Sequence, residues 1–191
     1  MNWITSFFLR AKHWQIFLLF FGMMLLAQIA MFNSMQSATT QDFGKSLLPF
    51  WGLTLLFALC FNGWLWAMGS FLNAIVQPSL RPGVGFFRFA LIYPILYMPV
   101  FMISFPQQPA MFAVIFPLHL FAMFCMFYLL NFVSKNLVLA ETDRVVKFYD
   151  YAGPFFLLWF FPIGMWTVQP RINRLYAERK KGEELSGVTA S

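Results

Sequence analysis

Residues 151–170 read YAGPFFLLWFFPIGMWTVQP, an uncharged stretch interrupted by Pro154, Pro162 and Gly164. It is apolar enough to enter a bilayer and sits at the short limit of the ~20 residues a helix needs to cross one. Proline removes a backbone donor and clashes with the preceding turn, so a straight, unbroken helix is not expected here. Whether this stretch crosses or turns back decides the topology of the whole chain.

Composition puts the chain in the membrane class. Of its 191 residues 60% are hydrophobic and only 10% charged, against roughly 25% charged in soluble domains. The mean hydropathy is +0.67. A single domain, residues 1–191, is expected at this length. The net charge of +6 does not point to nucleic acid, because the basic residues flank apolar runs and cover no polar face. Anionic lipid headgroups, worth about 1 kcal/mol per nearby Lys or Arg, are the expected partner. Cys60 and Cys125 both fall deep in apolar runs, where free cysteine behaves as a small hydrophobe. No CxxC spacing suggests a redox or metal site.

Residues 1–13 set Trp3 and Phe7 on one helical face, continued by Trp14, with Arg10 and Lys12 away from it. This pattern suits an interfacial helix. Residues 14–35 form a first span, too long for the core of a signal peptide and lacking an A-x-A site. A Ser-, Thr- and Gln-rich loop follows, then a second span over 47–73 entered through Pro49. A connector with two prolines and two glycines leads to a third span over 86–105, kinked by Pro94 and Pro99. The uncharged turn PQQP precedes a fourth span over 110–134. Residues 135–150 are expected to form a polar helix on the membrane surface, with Asp143 and Lys147 as an i,i+4 pair. Residues 171–191 form a basic tail whose small, polar end is expected to be disordered.

The cations choose between topologies. With five spans, one side holds Arg10, Lys12, Arg81, Arg88, Lys135, Arg144 and Lys147, and the other holds Lys45 and the five cations of the tail. That division is nearly even, so neither orientation is favoured by the positive-inside rule. If residues 151–170 enter and leave on one side, only Lys45 remains outside. The expected architecture is therefore an all-α integral membrane protein with four transmembrane helices plus one re-entrant or in-plane segment. Five transmembrane helices are the alternative. Both termini are expected in the cytoplasm, in a bacterial inner membrane. The turn is expected at Pro162-Ile163-Gly164. Non-helical backbone at that depth needs a protein cover or water, which calls for a homo-oligomer or other membrane subunits.

Few residues carry a chemical signal. His119 is the readily titratable group well inside a span; Asn62 lies at similar depth and Gln28 nearer the outer end. They form a candidate intramembrane polar site, either lining a path for ions or serving as interhelical hydrogen-bond partners. No Asp or Glu accompanies them within a span, which favours packing over proton relay. Haem would need a second axial ligand, and His13 is outside the spans. Met31, Met35, Met98, Met102 and Met111 would suit Cu(I) chemically, but methionine is also a common filler of apolar cores; no cofactor or metal is expected. Glu141, Asp143, Asp150, Lys135 and Arg144 match no catalytic spacing, and no motif links Ser104 to His119. Arg171, Arg174, Arg179, Lys180 and Lys181 are candidates for docking lipid or an acidic partner. The expected function is a non-catalytic assembly or interaction subunit of a membrane complex. The alternatives are a pore or transporter subunit and, third, an intramembrane enzyme acting on lipid.

Overall fold

A computed structural model of the chain describes residues 3–37, 46–104 and 112–188. Lys45, Met111, most of the first loop, the PQQP turn and residues 189–191 lie outside them. Seven helices are present among the described residues: α1 Trp3–Arg10, α2 His13–Ser37, α3 Leu48–Ile75, α4 Gly85–Ser104, α5 Phe112–Thr142, α6 Phe148–Trp159 and α7 Phe161–Val188. Four of them, α2 to α5, are long and apolar enough to cross a bilayer. The protein is thus an all-α multi-pass membrane protein with four helices of spanning length.

The helices begin and end where local chemistry allows. Pro49 occupies the first turn of α3, where its missing N–H has no helical partner to lose. At the other end of α3, the Arg81 guanidinium donates to the carbonyls of Ala74 and Val76 at 2.9 and 3.1 Å, satisfying acceptors that a helix terminus leaves open. Asp143 ends α5 in the left-handed region, φ 48°, a conformation that Asp tolerates better than most residues. The backbone N–H of Lys147 donates to Asp150 Oδ2 at 2.7 Å, and this starts α6.

One expectation requires correction. Residues 135–150 are not one surface helix: α5 runs on to Thr142, residues 143–147 connect, and α6 begins at Phe148. The spelling of this segment is polar, but Ser134, Asn136, Leu137 and Val138 are buried, so protein packing carries the helix past the apolar run. Asp143 and Lys147 consequently do not face each other across a helical turn. The small, polar end of the tail lies partly at the end of α7 and partly outside the described residues. α7 continues to Val188, supported by i,i+4 pairs Arg174–Glu178, Arg179–Glu183 and Lys180–Glu184 and by the buried Ile172 on its packed side.

The chain divides into two compact units. The first comprises residues 1–17, 64–82 and 133–191. At its centre is the second half of α3, where Trp64, Leu65, Ala67, Met68, Phe71, Leu72 and Asn73 are all buried. The stripe Trp66, Ser70 and Ala74 stays open on this half of the helix, and protein packs against the rest of its circumference. The second unit comprises residues 18–63 and 83–132. Its contacts are largely aromatic, such as Phe87 stacked on Phe132 at 4.2 Å and Phe86 edge-on to Tyr128 at 4.6 Å. The charge is divided very unevenly. Every Lys and Arg except Lys45 and Arg88 belongs to the first unit.

Candidate functional site

The three residues of the candidate intramembrane polar site differ in their surroundings. Asn62 is buried on α3 and turns its amide back on its own helix, donating to the Ala58 carbonyl at 2.9 Å. Its Oδ1 is buried with no partner among the described residues. His119 lies exposed on α5, its ring against those of Phe101 and Tyr97 at 5.6 and 5.9 Å. Gln28 is exposed on α2. No hydrogen bond joins these three side chains among the described residues. Hydropathy ranks a polar residue by depth along its helix; the direction it faces depends on packing.

The broken stretch around residue 160 forms a corner. Phe160 leaves the helix at φ −88°, ψ 58°, and its carbonyl accepts from the N–H groups of Ile163 and Gly164 at 2.9 and 3.0 Å. The break therefore falls two residues before Pro162 and not within Pro162-Ile163-Gly164. Pro162 instead sits in the first turn of α7, where proline is accommodated. Pro154 is buried inside α6. Gly164 is required for a steric reason: a Cβ there would stand 1.8 Å from the Leu157 carbonyl oxygen. In a continuous helix, residues seven apart are separated by about 10 Å along the axis, so this approach means the chain has turned sharply.

Both arms of the corner return to the end of α5. Tyr151 on α6 packs in a cluster with Val138 and Leu139 of α5, Val76 and Val146. On the other arm, Arg171 of α7 grips Glu141 of α5 with two nitrogens, its Nε at 2.8 Å from Oε1. Arg174 reaches the same carboxylate at 3.5 Å. α7 then follows α3. Trp64 Nε1 donates to Gln169 Oε1 at 2.9 Å, and seven residues further along each helix the rings of Phe71 and Tyr176 meet at 5.5 Å. A matched step on both helices means that they run side by side in the same direction.

Gln169 closes this arrangement. It is fully buried, and its Nε2 donates to the carbonyls of Phe8 and Ala11 at 2.8 and 3.0 Å. Asn173, one turn on, donates to Leu9 and Ala11 at 2.7 and 3.2 Å. Together they satisfy the open carbonyls where α1 ends. A second buried contact joins Asn73 Nδ2 to Asn136 Oδ1 at 3.2 Å, with the Pro82 carbonyl at 3.0 Å. Sequence reasoning passed over Gln169, Asn173, Asn73 and Asn136. An amide at a helix end reads as a solvated residue, and its burial comes from elements far away in the chain.

The five tail cations divide by role. Arg171 and Arg174 are committed to Glu141, and Arg179 and Lys180 pair with Glu183 and Glu184 at 2.7 and 3.4 Å. Lys181 has no carboxylate partner among the described residues. Arg179 and Lys180 also border a groove lined by α1, α3 and α7. Among the described residues, no group of three or more His, Cys, Asp or Glu is placed to hold a metal ion. No protein-family model matches this sequence, and comparison with curated proteins and with solved structures returns no match.

Proposed function

We propose that this chain is a non-catalytic subunit of a membrane assembly, with both termini and nearly all its cations in the cytoplasm. One observation carries the reading. Gln28 and His119 sit in helices of spanning length yet face outward. Polar side chains at membrane depth are expensive against lipid and ordinarily face protein or water. A neighbouring helix, from a second copy or another subunit, gives both residues hydrogen-bond partners.

The corner supports the same-side topology. Its arms start and end at the terminus of α5, and α7 departs in the direction of α3. At about 1.5 Å per residue α6 descends about 18 Å, roughly halfway into a ~30 Å core. The re-entrant segment so formed exposes Phe160, Ile163 and Trp166 for lipid or a partner to cover.

The test is purification in a mild detergent followed by sizing and identification of whatever co-purifies. A stable oligomer or a stoichiometric partner, loosened by Gln28→Leu with His119→Leu, is the expected result. A monomer with no companion overturns the reading. So does ion conductance in liposomes holding this chain alone, which is the behaviour of a pore.

A further inference from the structure

The geometry points to a binding site for a single anionic glycerophospholipid in the groove lined by α1, α3 and α7. The groove holds about 670 Å³, within the range of natural ligand pockets. Trp66, Phe71 and Ile75 of α3 supply an apolar wall. Arg179 and Lys180 stand on the α7 side, with Thr5, Ser70 and Tyr176 also lining the space. The Arg10 guanidinium lies 5.9 Å from the centre of the Tyr176 ring and adds a further cation beside it.

These features select one occupant. Glu183 also lines the groove, but it holds Arg179 by Nε, fixing the guanidinium plane while leaving its terminal N–H groups for a phosphate. Lys180 is more than half exposed in its pair with Glu184, and such a pair yields readily to a stronger anion. A phosphodiester would meet the two cations, and the acyl chains would cover Trp66 and Ile75. A free phosphate would leave the apolar wall bare. A lipid with no net charge brings a cation of its own beside its phosphate, which Arg179, Lys180 and Arg10 would repel. The groove begins two residues beyond Trp64 on a helix of spanning length, so a bilayer lipid can reach it without leaving the membrane.

The experiment uses the full chain in a neutral maltoside detergent, offered phosphatidylglycerol or phosphatidylcholine, with retained lipid counted by native mass spectrometry. Phosphatidylglycerol should be retained in preference. Arg179→Gln should lower that retention roughly fivefold, the effect of one cation near a headgroup. Lys181→Gln, an equal change of charge outside the groove, should lower it much less. Trp66→Ala should weaken retention with every cation still in place. An excess of glycerol phosphate should not displace the lipid. Equal retention of the two lipids, equal losses from Arg179→Gln and Lys181→Gln, or no loss from Trp66→Ala would each overturn the site. Displacement by glycerol phosphate would make it a site for chainless phosphate, and displacement by an acidic peptide would make it a protein-docking surface. Each of these refutes the lipid assignment and leaves the assembly reading standing.

Discussion

Trp64 and Gln169 lie 105 residues apart, and the indole N–H of the first donates to the side-chain carbonyl of the second at 2.9 Å, with both residues fully buried. Around that bond the second half of α3, the C-terminal end of α1 and the start of the polar half of α7 are joined. Gln169 spends its acceptor and both its donors. A buried amide so satisfied stabilises, whereas one left with a missing partner costs free energy.

Replacing Gln169 with Leu should therefore be severe. It strands the Trp64 indole N–H and the Phe8 carbonyl, at roughly 1 to 3 kcal/mol for each buried group without a partner, while the Ala11 carbonyl keeps its bond from Asn173. Trp64→Phe strands only Gln169 Oε1 and should cost less. Denaturant unfolding of the two single variants and the double variant gives the coupling, which should be non-additive because the two residues share one bond.

Gly164 tests the corner. Gly164→Ala places a methyl against the Leu157 carbonyl, and since that neighbour is backbone, the two helices must separate. A loss of about 2 kcal/mol or more is expected, as for an overpacked core, with new protease cleavage near Phe160. Gly22→Ala and Gly52→Ala are the controls. Nothing lies within 4 Å of a Cβ at either position, so both should be neutral or, by helix propensity, stabilising by up to about 1 kcal/mol.

Glu141 anchors the exit arm. Glu141→Gln keeps the shape but removes the charge that Arg171 and Arg174 share, and a hydrogen bond to a charged group is worth about 1.5 to 3 kcal/mol. A loss near 2 kcal/mol is expected in thermal unfolding. Glu183→Gln should change stability by less than about 1 kcal/mol, because its partner Arg179 is exposed. High salt should narrow the effect of Glu183→Gln more than that of Glu141→Gln, since screening acts mainly on exposed pairs.

Topology is directly measurable. A reporter fused before Met1 and another after Ser191 should report the same compartment, and a cysteine placed at Lys181 should share its accessibility with one at Lys12. A cysteine at Lys45 should behave oppositely. Opposite compartments for the two termini would restore a fifth crossing and remove the re-entrant segment.

Much of this protein is legible in one dimension. Apolar runs of spanning length mark α2 to α5, because the transfer of a helix into lipid sums contributions from its own residues. Pro154, Pro162 and Gly164 mark the neighbourhood of the corner because each acts on the backbone beside it. The clustering of cations follows from the same local bookkeeping once the corner is allowed. What packing alone decided is of another kind. Whether Gln28 faces outward, whether Asn136 is buried, whether α5 stops at Ser134 or Thr142, and which residue meets Trp64 all depend on groups distant in the chain. Burial and hydrogen-bond satisfaction are properties of pairs, and a string of residues does not say which pairs will form.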